Sequence, residues 1–395
     1  MSFVTALSQH PDAAEATGEV VGDVLERLGP EPDLAVLFCS PHHVEAVEDI
    51  AATVHQLIRP GALVGTTAVA VVAGAREVED DAAVALWAAR LSAPPRPVRL
   101  EATRTGAGVA LTGLTATTFE PGDALMLLAD PFTLPVDAIV EALGDLDPPV
   151  PVVGGLASAA AQPGGNRLVI DAEVVDHGGV GVVLPAEVAT TVVVSQGCRP
   201  VGDPMIVTRA EGNLLVELAG RPALDRLEEL IEAAGPEERH QLATGLHVGI
   251  AVDEHRMTFG PGDFVVRNLV GADRRARALA VGDRVPVGTT VQFQVRDAEA
   301  ADEDLKDMLA GVSGDAALVF TCNGRGRHLF GEDDHDARVV ARSVPSGAVA
   351  GMFCAGEIGP LGGRSFLHGF TAGIVVFHQP EGGRTTAPGD VGGRP

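Results

Sequence analysis

Residues 316–354 read AALVFTCNGRGRHLFGEDDHDARVVARSVPSGAVAGMFC, and this stretch decides the fold. An apolar run over Ala316–Cys322 predicts a strand, and a glycine-rich turn follows it. The pattern then predicts a helix near Asp336–Arg342 and a second strand over Ala348–Phe353. Two strands joined by a crossover helix pair in parallel, so we expect their carboxyl ends to lie at one edge of a sheet.

The same strand–helix–strand order occurs twice earlier in the chain. Each copy is about thirty residues long, which is the usual size of such a unit. The predicted segments are Leu34–Cys39, Val44–Leu57 and Ala62–Gly65 in the first copy, and Ala124–Ala129, Val136–Leu143 and Pro151–Gly154 in the second. The recurrence predicts three parallel strand pairs, each with its crossover helix.

Short β-rich segments bounded by Gly, Asp or Pro surround these units and predict antiparallel strands. Met205–Arg209 and Leu214–Leu218 flank a polar turn and predict a hairpin, and residues 282–295 predict another. Helices are expected over Ala223–Ala234 and Asp302–Ala310. The resulting fold class is α/β (mixed α+β), with two domains whose mixed parallel and antiparallel sheets are flanked by helices.

The domain boundary is predicted near residue 220, where a hairpin stops and an amphipathic helix begins. The predicted divisions are an N-terminal helical segment (1–30), a first domain (31–219), a second domain (220–379) and a disordered tail (380–395). The tail prediction rests on a composition rich in Gly, Pro, Thr and Arg.

Charge argues against several classes of partner. The chain has 395 residues and a formal net charge of −26. Binding to nucleic acid and attraction to anionic membranes both depend on an excess of Lys and Arg, so neither partner is expected. The sequence has no apolar run long enough to span a membrane, and its first residues lack the pattern of a secretion signal. We therefore expect a cytoplasmic protein.

The sequence motifs of familiar enzymes are missing: there is no GxxxxGK[ST], no helix-opening GxGxxG, no HExxH and no GxSxG. The four cysteines form no CxxC pair and have no zinc spacing. We expect no cofactor and no metal site, and we assign no catalytic residue. One enzymatic alternative stays open, because Cys322 and Cys354 end the two strands of the opening stretch. Either thiol could act as a nucleophile with His335 or His368, which lie nearby in sequence.

The candidate ligand site lies where those two strands end. Asn323 and Arg325 follow the first strand and Glu357 follows the second, so the topology brings them to one sheet edge. A guanidinium grips a carboxylate with a planar fork, and a carboxylate such as Glu357 receives an amine. Gly324 and Gly326 allow backbone amides to approach a ligand closely. The combination suits a small zwitterion.

Two more residues join this candidate set, and each assignment has a structural alternative. His368 lies in the polar, glycine-rich stretch of sequence that follows Glu357, and Arg199 is placed at the cleft between the domains. The alternative for Arg199 is a turn that fixes the domain junction. The alternative for the main site is an internal salt bridge between Arg325 and Glu357 that joins two loops without any ligand.

Several long phrases of the sequence resemble the FIST family in its self-contained bacterial form. They are VSQGCRPVGDPMIVTRAEGNLLVELAGRPAL (194–224), DFVVRNLVGAD (263–273), VQFQVRDAEAADEDL (291–305), FTCNGRGRHLFG (320–331) and GEIGPLGGRSFLHGFTA (356–372). The shorter phrases LFCSPHH, LVGTT, LLADPF and PVVGGLAS are similar to its N-terminal domain, so the resemblance covers roughly residues 31–378. The resemblance implies a FIST N-like domain over 31–219 and a FIST C-like domain over 220–379.

The family resemblance implies an intracellular sensory protein for small ligands, with amino acids as proposed ligands. Bacterial members are attached to signalling output domains and eukaryotic members to F-box domains, and this chain has no room for either. We therefore expect a signal to pass through a partner protein. Two alternatives remain: an interaction scaffold that binds no small ligand, and the thiol-dependent enzyme based on Cys322 or Cys354.

Overall fold

The structure, a computed structural model, describes residues 1–105, 108–114, 118–256, 258–260 and 262–379. The described residues form helices and four sheets, three of which mix parallel and antiparallel strands. The predicted mixed α+β class is confirmed. The predicted disordered tail, residues 380–395, lies outside the described residues. Within the described ranges, no helix combines the length and the apolar character that crossing a membrane requires.

The strands of the described residues are numbered in chain order. They are β1 (Ser2–Ser8), β2 (Leu34–Cys39), β3 (Leu63–Thr67), β4 (Val71–Ala73), β5 (Arg76–Val78), β6 (Val84–Arg90), β7 (Arg96–Thr105), β8 (Gly108–Thr112), β9 (Ala124–Ala129), β10 (Val152–Leu156), β11 (Leu168–Ile170), β12 (Glu173–Val175), β13 (Gly179–Leu184), β14 (Thr190–Gln196), β15 (Cys198–Glu211), β16 (Leu214–Leu218), β17 (Arg221–Pro222), β18 (Leu246–Ala251), β19 (Phe264–Asp273), β20 (Ala278–Val281), β21 (Thr290–Arg296), β22 (Ala316–Cys322), β23 (Val349–Cys354), β24 (Glu357–Leu361), β25 (Arg364–His368) and β26 (Thr371–Phe377).

The α-helices of the described residues are numbered in the same way. They are α1 (Ala13–Arg27), α2 (Val47–Ile58), α3 (Val136–Gly144), α4 (Ala223–Ala233), α5 (Pro236–Gly245), α6 (Ala298–Leu309), α7 (Gly326–Phe330) and α8 (His335–Ser343). A 3₁₀ helix over Pro41–Ala46 leads into α2.

The three predicted strand–helix–strand units are present, and each contributes a parallel strand pair. The pairs are β2 with β3, β9 with β10, and β22 with β23. Their crossover segments contain α2, α3 and α8, respectively. The apolar runs that predicted these strands are buried on both faces, which is typical of strands covered by other layers.

Strands from distant parts of the chain share the sheets. One sheet has the order β1-β6-β2-β3-β11-β12, a second β25-β24-β10-β9-β13-β7-β8, and a third β14-β26-β22-β23-β4-β5. The second and third sheets contain strands from both sides of residue 220, so the two halves of the chain pair with each other along their backbones. Helices α6 and α8 pack on the third sheet through apolar side chains such as Leu305 and Val340.

The fourth sheet is antiparallel and closes on itself. Its order is β15-β21-β18-β19-β20-β16-β17, and a further pairing joins β16 to β15. Residues 198–296 therefore form a small barrel, with Leu215, Phe293 and Leu279 among the residues of its core. The predicted hairpin of β15 and β16 is confirmed. The hairpin predicted over 282–295 is wrong, because that range contains only most of β21, which pairs with β15 and β18.

The prediction of a helical segment over residues 1–30 is wrong for its first part. Residues 2–8 form β1, which pairs antiparallel with β6. Val4 and Ala6 alternate with more exposed neighbours, the period-two pattern of a strand with one buried face. The helix begins only at Ala13, where Asp12 accepts hydrogen bonds from the amides of Ala14 and Glu15 and so caps the helix.

Candidate functional site

The two loops of the predicted site meet at one edge of the third sheet. Cys322, the last residue of β22, lies opposite Cys354, the last residue of β23, in parallel register. The amide of Asn323 donates a hydrogen bond of 2.9 Å to the carbonyl of Cys354. The loop after β22 and the loop after β23 are therefore joined at their first residues, as the sequence predicts.

Arg325 is buried at this edge, with 1% of its surface exposed, and its partner is Asp336. The Nε of Arg325 donates to Asp336 Oδ2 at 2.7 Å and Nη2 donates to Oδ1 at 2.9 Å. Thr321 Oγ1 donates to the same carboxylate at 2.6 Å. Burial alone would raise the pKa of Asp336, but Arg325, His335 and Thr321 hold that pKa well below its usual range. The ion pair that the sequence suggested between Arg325 and Glu357 is thus replaced by one with Asp336.

Glu357 is the second buried charged group of the edge. Its Oε2 accepts hydrogen bonds from the amide and the hydroxyl of Thr371, at 3.1 Å and 2.9 Å. Burial raises the pKa of Glu357 to about 8, although Thr371, the Cys322 thiol and the Arg325 charge all oppose the rise. The carboxyl group is therefore mainly protonated at neutral pH.

One atom of each buried charged group has no hydrogen-bond partner among the described residues. These atoms are Arg325 Nη1, a donor, and Glu357 Oε1, an acceptor when ionised. A Cβ atom at Gly197 would lie 3.2 Å from Arg325 Nη1, so this nitrogen sits against a backbone without a side chain. A buried polar atom without a partner is costly, so each of these two atoms would be stabilised by a hydrogen-bond partner.

Phe370 borders this edge. Its backbone has a φ of +63°, a left-handed conformation that is rare for a bulky residue. The ring lies 4.2 Å from the ring of His247 and 5.0 Å below the guanidinium of Arg296, measured to the Phe370 centroid. Arg296 in turn donates to the carbonyl of Gly324. Two barrel residues and one aromatic ring therefore close over the loop that carries Arg325.

His335 connects the buried Arg325–Asp336 ion pair to the surface. Its Nδ1 is 3.0 Å from Asp336 Oδ1, and its Nε2 is 3.0 Å from Oδ1 of Asp302 on α6. The imidazole also stacks on the ring of Phe330 with 3.4 Å between centroids. An open surface groove of about 490 Å³ lies beside this stack, lined by residues of α6, α8 and the segment before α8.

The other predicted residues of the loops have separate roles. Asn323 is exposed, and its Oδ1 is 3.8 Å from the Cys322 sulfur. Gly324 is half-buried, and its amide points at the Cys322 sulfur at 3.4 Å. Gly326 has a φ of +61°, and a Cβ there would lie 2.6 Å from the ring of Phe353. Only glycine fits at position 326, so the backbone angle and the packing against Phe353 account for the glycine there without any ligand.

The side-chain hydrogen bonds described for His368 and Arg199 go to groups other than Arg325 and Glu357, although His368 lies opposite Glu357 in the antiparallel pairing of β24 and β25. His368 Nε2 is 2.9 Å from the carbonyl of Gly359, and burial lowers the pKa of this imidazole to about 4. Arg199 Nε donates to Asp297 at 3.2 Å, and its Nη2 donates to Gln241 at 3.0 Å. Arg199 therefore ties β15 to the start of α6 and to α5.

Sequence analysis did not identify Asp336, Thr371 or Phe370 as site residues. Asp336 was visible only as the first residue of a predicted helix. An acidic residue in a first helical turn is ordinarily explained by the helix dipole, so its pairing carried no separate signal. Thr371 and Phe370 approach from β26 and from the loop before it, and their sequence separation from Arg325 hides the contact.

The thiols do not have the environment of nucleophiles. All four cysteines are free and buried. Burial raises the pKa of Cys39 and of Cys198 to about 12, and it raises the pKa of Cys322 and Cys354 further. His335 contacts carboxylates instead of a sulfur. Among the described residues, no group of three or more His, Cys, Asp or Glu side chains is arranged to hold a metal ion.

These features define a mixed α+β protein in which strands from both chain halves build one sheet edge around a buried arginine and two buried carboxyl groups. The chain belongs to the FIST family: the FIST N domain model matches residues 33–221 and the FIST C domain model matches residues 223–360. The resemblance stated from the sequence is confirmed. FIST domains are generally regarded as sensory domains in signal transduction.

The chain is also similar to mycobacterial proteins over nearly its whole length. It is 45% identical over 376 residues to the uncharacterized protein Mb0898c of Mycobacterium bovis, covering 93% of this chain and 96% of the relative. It is 42% identical over 387 residues to the uncharacterized protein MT0656 of Mycobacterium tuberculosis, covering 95% of this chain and 100% of that protein. The similarity therefore extends over both of the matched domains of this chain.

Proposed function

We propose that this protein is an intracellular sensor that binds a small zwitterion, such as an amino acid, and signals through a partner protein. The observation that carries the proposal is the pair of unpartnered atoms, Arg325 Nη1 and Glu357 Oε1, on fully buried side chains. A ligand carboxylate would accept from Nη1, and a ligand ammonium group would donate to Oε1. Each buried atom would then gain the partner it lacks.

The charges of the site suit such a ligand. Asp336 already balances the Arg325 charge, and Glu357 is mainly neutral before binding because its pKa is raised to about 8. An ammonium group beside Glu357 would favour the ionised carboxylate and lower this pKa. Binding of a zwitterion near pH 7 would therefore release about one proton from Glu357. Binding of a simple carboxylate, which lacks the ammonium group, would not.

Arg325 is oriented before any ligand arrives. Two hydrogen bonds to Asp336 fix the guanidinium plane, so little side-chain entropy would be lost on binding. The Gly197 backbone lies against Nη1, and the Phe370 ring lies against Gly324 in the loop that carries Arg325. Entry of a ligand would require the Phe370 ring to move, and this movement would be transmitted to Arg296 and His247 on the barrel.

Isothermal titration of the purified protein against the common amino acids and small carboxylates tests the proposal. The titration is repeated in two buffers with different ionisation enthalpies, so that proton release is counted directly. We expect one amino acid or a related set to bind with release of about one proton. Glu357→Gln should remove that release and weaken binding at least tenfold, and Arg325→Ala should abolish binding.

Arg327→Ala is the matched control, because Arg327 is an exposed arginine two residues after Arg325 whose ion-pair partners are Asp80 and Asp333. It should leave both the affinity and the proton count unchanged. If Arg325→Ala is folded by circular dichroism and binds as the parent does, the site assignment is wrong. Native mass spectrometry of protein purified from its own host tests for a bound partner protein. A stoichiometric partner protein found without any small ligand would favour the scaffold alternative.

A further inference from the structure

His335 lies between two carboxylates, and the geometry requires two N–H donors. Nδ1 is 3.0 Å from an oxygen of Asp336, and Nε2 is 3.0 Å from an oxygen of Asp302. Carboxylate oxygens of ionised Asp only accept hydrogen bonds, and a neutral imidazole carries only one N–H. Both hydrogen bonds therefore exist together only when the imidazole is doubly protonated.

The two carboxylates are ionised in the folded protein. Burial opposes ionisation of Asp336, but Arg325 and His335 keep the pKa of Asp336 below its usual range. Burial also opposes ionisation of Asp302, but Lys306 and His335 keep the pKa of Asp302 below its usual range. Neither carboxyl group can therefore supply the missing proton to a neutral imidazole, so the second N–H must belong to His335 itself.

The charged groups around His335 come from every neighbouring element. Helix α6 contributes Glu299, Asp302 and Lys306, and the last of these is 2.6 Å from Asp302. Helix α8 contributes Arg338 and Arg342 on the groove and Asp336 on the buried side, and Glu332 precedes that helix. Glu77 of β5 accepts a hydrogen bond of 2.9 Å from the amide of Ala337, the residue after Asp336. Arg325 contacts the Asp336 carboxylate.

The hydrogen bonds form one continuous series from the surface to the proposed ligand site. Lys306 donates to Asp302, His335 joins Asp302 to Asp336, and Asp336 holds Arg325 in a two-fold contact. Loss of either His335 proton would bring an imidazole lone pair against a carboxylate oxygen, that of Asp302 or that of Asp336. One of the two hydrogen bonds would then be lost, and the support that α6 gives to Asp336 and Arg325 would be weakened.

We infer that His335 is a positioning residue whose doubly protonated form ties Asp336, beneath Arg325, to Asp302 of α6, which makes the ligand site sensitive to pH. The inference rests on the proposed function for its effect on a ligand. Its structural part stands without a ligand, because the protonation of His335 and the protection of the Arg325 Nε–H can be measured in the free protein.

The test uses the full chain labelled with ¹⁵N. A long-range ¹H–¹⁵N spectrum should show the doubly protonated pattern for His335, assigned by its loss in His335→Gln. The Arg325 Nε–H should have a protection factor against hydrogen exchange that falls about tenfold or more as the pH is raised until His335 loses its second proton. His335→Phe keeps an aromatic ring stacked on Phe330 but has no ring N–H. In this variant the protection of the Arg325 Nε–H should be low and independent of pH.

His328→Gln is the control, since His328 is an exposed histidine of α7. It should retain the protection and the pH profile of the parent protein. A neutral-tautomer pattern for His335 at every pH at which the protein is folded, or full protection of the Arg325 Nε–H in His335→Phe, overturns the inference. A titration with glycine, the smallest zwitterion, separates this failure from that of the proposed function. If neither glycine nor another amino acid binds, the proposed function fails while the ¹⁵N result still decides the role of His335.

Discussion

Arg325 and Asp336 form a two-fold ion pair in which both side chains have no exposed surface. Taking two charges out of water costs several kcal/mol for each ion in real proteins, and a well-packed apolar pair would commonly be as stable. The fold nevertheless surrounds this pair with Thr321 and His335 as additional hydrogen-bond partners. Its most direct consequence is orientation, because a guanidinium held at two nitrogens presents the third in a fixed direction.

Removing one charge of this pair should be strongly destabilising. Asp336→Asn keeps the side-chain shape but leaves the buried Arg325 charge without its counter-ion. We expect a loss of about 3–5 kcal/mol in the free energy of unfolding, measured by urea denaturation. Asp333→Asn is the control, because Asp333 pairs with Arg327 on the surface and should cost less than about 1 kcal/mol. Equal effects of the two substitutions would contradict the strong dependence on burial.

Glu357 should make the protein less stable as the pH rises. Its pKa in the folded state is about 8, compared with an ordinary value of 4.5, so the folded state binds the proton more tightly between these values. Stability from this group is therefore complete below about pH 4.5 and is lost as the pH approaches 8, by an amount on the order of 4 kcal/mol. Glu77, with its pKa also raised to about 8, contributes in the same direction.

Glu357→Gln separates the two contributions, because it removes one titrating group and leaves Glu77 in place. The difference in unfolding free energy between the variant and the parent should grow in favour of the variant from pH 5 to pH 8. Urea denaturation at four or five pH values measures it. Parallel curves for the two proteins would mean that Glu357 ionises as an ordinary exposed carboxyl group does.

The sequence was sufficient to predict the sheet edge. The runs Ala316–Cys322 and Ala348–Phe353 are apolar enough to be strands only in a covered sheet, and the helix between them requires a parallel pairing. The meeting of Asn323 with the end of β23 follows from those two facts. Gly326 could also be singled out, since a glycine beside an arginine at a strand end commonly marks a special backbone angle.

The partners of the site could not be predicted, because they depend on the side-chain directions of elements far apart in sequence. Asp336 reaches Arg325 only because α8 begins at His335 and packs on β22. Phe370 and Arg296 meet because the barrel of residues 198–296 docks beside β26. No local pattern encodes such docking. The strand β1 was missed for a simpler reason: in SFVTALS the apolar residues Phe3, Val4 and Leu7 fall on both faces, so the period-two pattern is weak.

Gly197 should not tolerate a side chain. A Cβ atom there would lie 2.2 Å from the carbonyl oxygen of Phe370 and 3.2 Å from Arg325 Nη1. Because the first contact is with backbone, Gly197→Ala should cost about 2 kcal/mol or more of unfolding free energy. Gly369→Ala is the matched control, since nothing lies within 4 Å of a Cβ at that position. Comparable stability of the two variants would show that the Phe370 carbonyl moves freely.

At position 370, substitution by glycine should be less destabilising than substitution by alanine. Both Phe370→Gly and Phe370→Ala remove the ring beside Arg296 and His247, but only glycine adopts the φ of +63° without strain. We expect the glycine variant to be more stable than the alanine variant by about 1 kcal/mol in urea denaturation. In both variants the Thr371 amide, which donates to Glu357, should exchange its hydrogen faster than in the parent. An alanine variant as stable as the glycine variant would indicate that the backbone relaxes once the ring is gone.

The thiols of the native protein should be inert, which distinguishes a sensor from a thiol-dependent enzyme. A thiol with a pKa of about 12, as for Cys39 and Cys198, has fewer than about one thiolate in ten thousand at pH 7.5, and Cys322 and Cys354 are shifted further in the same direction. Iodoacetamide at pH 7.5 should therefore add nothing to the intact mass within an hour, whereas the denatured chain should gain four adducts, one for each cysteine. One rapid adduct on the native protein, mapped to Cys322 or Cys354, would restore the enzymatic alternative, because only a stabilised thiolate reacts so quickly.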